Sequence, residues 1–264
     1  MFKGRTIKRA FARVGPGVHT GIVSRVEVRP AEPGQGLWFR SAQGDELPVH
    51  VSQVRSVPGS TVLAQGDWEV RTPEHLLAAL VAHQITDATL VLEGPEVPIL
   101  DGSALPWCEA IAEAGTEGVL PEALTLPEVV VHSNGGTARS VPGPVLRVEV
   151  DVAFPGGPSG RVAERIPGRF CERVAHARTF ALERDVERLR AQGRGAGATL
   201  ENTVIWGEDG AINALRCEDE PVRHKLVDLV GDLALVGTRV TGTVSVDRPS
   251  HALHHAFIRE ILRA

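Results

Sequence analysis

A spacing of four residues carries the first chemical hint in this sequence. In the stretch RHKLVDLVGDL, His224, Asp228 and Asp232 recur every fourth residue among the apolar positions Leu226, Val227, Leu229, Val230 and Leu233. A helix of 3.6 residues per turn sets such positions on one side. An imidazole one turn from a carboxylate can reach a single zinc ion, although an exposed histidine–aspartate pair of small electrostatic value would show the same spacing. A second fragment, TPEHLL, places Glu74 and His75 in the first turn of a helix entered through Thr72 as cap and Pro73 as first helical residue. Alone, Glu74 would do no more than complement the helix dipole, and His75, flanked by Leu76 and Leu77, would be an ordinary half-buried histidine. Together the fragments supply two imidazoles and a carboxylate as ligands, with a further carboxylate left as base, which is the composition of a catalytic zinc set. The protease helix H-E-x-x-H does not occur.

Near the end, SHALHHAFIREIL opens a helix on His251, while His254 and His255 follow as half-exposed helical positions, so only His251 stands where chemistry is done. Cys108, Cys171 and Cys217 are far apart and odd in number, which argues against a disulfide scaffold and against a thiolate zinc site. The segment GRGAG at 193–197 follows a helix instead of preceding one, so it reads as a flexible loop and not as a phosphate-binding turn.

The elements that must position these residues are legible in outline. Alternating or β-branched runs predict strands at 20–28, 47–54, 88–92, 129–132 and 145–152. Helical periodicity predicts helices at 73–83, 105–114, 183–192, 220–236 and 252–263. Two prolines in TEGVLPEALTLPE interrupt both periodicities and mark a boundary, giving a first α+β domain over 1–120 and a second over 121–264, of similar plan.

A net charge of −5 gives no general pull toward polyanions, so nucleic acid is not an expected partner, and any phosphate site must be local. The start, MFKGRTIKRAFARVG, has charge but no apolar core of leader length, and no apolar run approaches the ~20 residues of a membrane span. A cytoplasmic monomer is the expectation. Lysine occurs only at positions 3, 8 and 225, with arginine supplying the other basic charges, so Lys225 has a role that arginine does not fill.

Several long segments in order, RTIKR, GPGVHTG, TPEHLLAAL, GPEVPILDGSALPW, ARTF, RDVERL and EDEPVRHKLVDLVGDLAL, resemble the bacterial UDP-3-O-acyl-N-acetylglucosamine deacetylase family across almost the whole chain. The resemblance implies two domains, each a small sheet with two helices, the helices lying between the sheets. It implies zinc held by His75, His224 and Asp228, with Glu74 as general base. It gives His251 the part of cationic acid or oxyanion partner, oriented by Asp232, and has Thr179 donate its hydroxyl near the reacting carbonyl. Lys225 would meet the polar head of a small UDP-acyl-sugar substrate, and Phe180 would wall it. An apolar passage for the acyl chain would come from 183–202, with Val186, Leu189 and Leu200 as lining. Where the family has Gly-His-Ala-Leu-Asn-Asn, this chain has Ser250 before His251 and His254–His255 after it, and its nearby basic residue is Arg248. That departure keeps open a zinc amidase acting on another N-acetylated sugar nucleotide, or a homologue that binds UDP-sugar or lipid without hydrolysis.

Overall fold

The structure, a computed structural model, describes residues 3–55, 57 and 59–264. Met1 and Phe2, part of the charged start read above for a leader, lie outside the described residues. Two sheets share one strand order. The first runs Phe11–Pro16, Val23–Arg29, Ala88–Glu93, Leu37–Ser41, Glu46–Pro48, and the second Val129–Ser133, Gly136–Val141, Val240–Asp247, Leu146–Ala153, Ser159–Ile166. In each, the strand that comes last in sequence is inserted at the centre, antiparallel to the second strand and parallel to the third. Leu124–Thr125 adds to Val240–Asp247 in parallel, and Thr116–Val119 pairs with Gly4–Ile7 near the start of the chain.

Among the described residues six helices form: α1 (Glu74–Ala82), α2 (Leu105–Ala114), the four-residue α3 (Phe170–Arg173), α4 (Glu183–Ala191), α5 (Glu220–Leu233) and α6 (His251–Ile261). The architecture is α+β, as the patterning predicts. Period-two burial in Leu146–Ala153 turns Leu146, Val148, Val150 and Val152 inward. In α1, Leu76, Leu77, Ala78, Ala79 and Leu80 are all fully buried, so over this stretch the helix keeps no solvent-exposed face and is covered on every side. Each of those leucines contributes about 1.5–3 kcal/mol of transfer free energy. α5 packs along α1 and onto Leu146–Ala153, while α6 lies on Val129–Ser133, so both helices cover the second sheet. At their crossing, Gly231 of α5 lies so close to α1 that a Cβ would overlap the Glu74 carbonyl oxygen. No helix among the described residues is long and apolar enough to cross a membrane.

Two local expectations change. Residues 47–54 do not form one strand: after Glu46–Pro48 the chain turns through a 3-10 helix, Val51–Gln53, and resumes pairing at Val54–Arg55. Pro48 removes a ladder donor, and His50 caps the turn by accepting from the Ser52 N–H. At the start of α1 the cap position is Pro73, with no side-chain cap, and Thr72 sits at φ 54°. A β-branched residue in that region is strained by about 1–3 kcal/mol. The Thr72 hydroxyl is held elsewhere, donating to Glu96 Oε1 at 2.8 Å.

Candidate active site

α1, α5 and α6 present their polar residues to one cavity of about 580 Å³, closed on another side by the strand Thr179–Leu182. Its lining includes Glu74, His75, Thr179, Phe180, His224, Lys225, Asp228 and His251. Every predicted site residue except Asp232 therefore faces this space, and Asp232 stands directly behind His251.

The donor atoms of His75, His224 and Asp228 lie within 4.8 Å of one another, and all three residues are buried. Asp228 Oδ1 is 3.2 Å from His224 Nε2 and 3.8 Å from His75 Nε2, and the two imidazoles meet edge to face at 4.9 Å. His224 Nδ1 is 3.0 Å from the Ala177 carbonyl oxygen. A carbonyl can only accept, so Nδ1 carries a hydrogen and Nε2 is the nitrogen turned to the centre. Burial, with His224 adding to it, pushes His75 down to about 3, so it is neutral at physiological pH. Burial alone would raise the Asp228 carboxyl, but Lys225 and His224 hold it well below its usual range. Lys225 Nζ is 2.5 Å from Asp228 Oδ2. Two imidazoles and one carboxylate gathered in this way fit a divalent metal ion.

Glu74 borders this trio. It is buried, its Oε2 has no hydrogen-bond partner, and its Oε1 is 3.6 Å from His251 Nε2. Burial pushes its carboxyl up to about 8, with His251 opposing and the charges of Asp232 and Asp228 adding. A carboxyl so raised can hold and release a proton near neutrality.

Behind the cavity Asp232 is fully buried and fully bonded. Its Oδ2 accepts from His251 Nδ1 at 2.7 Å and from His254 Nδ1 at 2.8 Å, and its Oδ1 accepts from the Thr61 hydroxyl at 2.6 Å. The single hydroxyl hydrogen of Thr61 is thereby used, so at 2.9 Å it is His255 Nε2 that donates to Thr61. Burial would lower His251, but the Asp232 charge and hydrogen bond overcome it and raise the imidazole to about 9. His251 is thus a cation aimed at the cavity. His254 and His255 are not the half-exposed positions expected: they are buried, because the face of α6 that carries them packs on Asp232 and Thr61.

Two buried carboxylates hold the surrounding loops. Glu96 accepts from the N–H groups of His19 and Thr20 and from the hydroxyls of Thr20 and Thr72, tying residues 15–21 to the entry of α1. Glu220 pairs with Arg178 at 2.8 Å and accepts the backbone N–H groups of Arg178 and Arg216, tying ARTF to the first turn of α5. That pairing sets Thr179, whose N–H donates to Gly102 at 2.8 Å, beside the cavity. Phe180 meets Phe154 edge to face at 5.5 Å and the His224 ring at 6.3 Å.

Sequence reasoning missed Thr61, His19 and the cavity-lining arginines Arg188 and Arg194. Of the three apolar residues expected in a passage, Leu189 lines the cavity, but Val186 and Leu200 do not, and Leu200 is exposed. Val152, Phe154 and Leu182 supply apolar wall instead. The fold also brings the sulfurs of Cys108 and Cys171, 63 residues apart in sequence, to 2.9 Å.

Residues 4–263 match the family model described as LpxC: UDP-3-O-acyl N-acetylglycosamine deacetylase. The chain is 35% identical to the UDP-3-O-acyl-N-acetylglucosamine deacetylase of Trichormus variabilis, covering 98% of each. It is 38% identical to the protein of the same name from a Geobacter species, over 94% of this chain and 85% of the relative. A third, from Thermosynechococcus vestitus, is 37% identical over 97% of this chain and 93% of the relative.

Proposed function

The chain belongs to the UDP-3-O-acyl N-acetylglycosamine deacetylase family, and from that premise we propose that it hydrolyses the N-acetyl amide of UDP-3-O-(3-hydroxyacyl)-N-acetylglucosamine, the committed step of lipid A biosynthesis. The observation that carries this reading is the buried His75, His224 and Asp228 trio with the unpartnered Glu74 Oε2 beside it in one cavity.

In this reading His75, His224 and Asp228 hold zinc. Zinc in such a set supplies Lewis-acid polarisation of the amide carbonyl and acidifies the attacking water. Glu74 takes the proton of that water through its free oxygen. His251, kept cationic by Asp232, faces the developing oxyanion and the departing amine, and the Thr179 hydroxyl donates to the oxyanion. Either Glu74 or His251 returns the proton to nitrogen. Lys225 meets the polar head of the UDP-acyl-sugar, Phe180 walls it, and Arg188, Arg194 and Arg248 line the cavity as local cations suited to its diphosphate. The reading includes a cytoplasmic monomer in two units, 1–120 and 121–264, with the catalytic residues at their junction.

The His254–His255 part of the variant segment does not favour a different sugar, since both are absent from the cavity lining and bond to Asp232 and Thr61 instead. The test is acetate release by the purified chain from the 3-O-acylated UDP-sugar and from its unacylated counterpart. Preference for the acylated substrate, loss with a chelator and recovery with zinc are expected. Equal rates on both substrates, or indifference to chelation, would reject the assignment.

A further inference from the structure

The opposite end of α1 gathers a second set of donors. His83 closes that helix, Cys108 lies in α2 and Cys171 in α3. Cys171 Sγ is 2.9 Å from Cys108 Sγ and 3.5 Å from His83 Nε2, and the three donor atoms fall within 4.8 Å of one another. None of the three lines the catalytic cavity. At 1.5 Å per residue, the length of α1 separates this cluster from Glu74 by about 13 Å.

We propose that Cys108, Cys171 and His83 form a second metal site, for a soft or borderline cation such as zinc(II), that clips the first half of the chain to the second. Thiolate and imidazole donors select such metals. At tetrahedral angles, bonds of about 2.3 Å to sulfur and about 2.0 Å to imidazole nitrogen place the two donors about 3.5 Å apart. That is the separation of Cys171 Sγ and His83 Nε2. The two sulfurs must part from 2.9 Å to about 3.8 Å on coordination. A disulfide would instead require closure to about 2.0 Å and would leave the imidazole without its sulfur partner. Cys108 is buried while His83 and Cys171 are half-buried, so one face stays open for a water as fourth ligand. The carbonyl end of α1 points the negative pole of the helix at the cation. Binding displaces the protons of both thiols, and no electron transfer is needed.

The test is titration of the purified holoenzyme with cadmium(II), followed by the ultraviolet thiolate-to-metal charge-transfer band. The nitrogen and oxygen donors of the catalytic centre cannot produce that band, so the result stands apart from the deacetylase assignment. The expected result is a band saturating at about one cadmium per chain. It is lost in Cys108→Ser and Cys171→Ser, weakened about tenfold or more in His83→Ala, and retained in Cys217→Ser. Absence of the band from the wild-type protein overturns the proposal without reference to any variant. Survival of the band at full affinity in either Cys108→Ser or Cys171→Ser also overturns it. So does recovery of the pair as a disulfide, read as one titratable thiol per denatured chain in place of the three free cysteines.

Discussion

Catalytic weight at the level of single side chains rests on protonation states that burial and neighbours impose. Glu74, the proposed base, has no hydrogen-bond partner on one oxygen, so Glu74→Gln is expected to lower acetate release by about 100-fold or more while leaving bound metal in place. Turnover and metal content measured on the same preparation check both halves of that statement. His251→Ala is expected to cost about 100-fold as well, because it removes the cation that Asp232 sustains. Unchanged turnover in that variant would remove His251 from the chemistry. His224 and Asp228 were legible because a spacing of four announces a shared helix face, and Glu74 and His75 because, in the first turn of another helix, they complete a set of two imidazoles and two carboxylates. Thr61 was not, since it lies 171 residues from the Asp232 it supports and carries no local pattern. His254 and His255 misled for a related reason: a polar pair on a terminal helix looks solvated until a buried carboxylate is found beneath it.

Helices and loops place these groups through two tight contacts. Gly231 lets α5 approach the start of α1, and Gly231→Ala is expected to destabilise the fold by about 1–3 kcal/mol through overpacking. Because the clash falls on Glu74 itself, the variant should also lose activity; denaturation midpoints and acetate release read the two effects separately. The second contact is Arg178 with Glu220. Burial would raise the Glu220 carboxyl, yet Arg178 and the backbone N–H groups of Arg216 and Arg178 hold it below its usual value of 4.5. A carboxyl depressed on folding stabilises the protein above its unfolded value and gives that up as pH falls toward the folded one. Stability followed from pH 7 downward should therefore decline below about 4.5. Glu220→Gln should start roughly 3–5 kcal/mol lower, with Arg178 left buried and unpaired, and decline less steeply. Helix positions were readable from periodicity, with α5 continuing into a 3-10 turn at Ala234–Val236. The strand predicted across 47–54 was not, because apolar alternation does not register the turn that Pro48 and His50 impose.

For the molecule as a whole, the α+β class and the repeated plan could be read from the order of elements, whereas the pairing that inserts each final strand at the centre of its sheet could not. Long-range register depends on which surfaces meet, and no short pattern encodes it. The residues proposed for catalysis divide unequally between α1, which brings Glu74 and His75, and α5 with α6, which bring His224, Asp228 and His251. Between Thr116–Val119, paired with the chain's first described strand, and Leu124–Thr125, paired into the second sheet, only four residues connect the sets. A polypeptide interrupted there would leave each fragment with its own sheet intact and an incomplete constellation. Two such fragments, each inert when purified, should regain acetate release on mixing, so that activity becomes a direct reporter of their reunion.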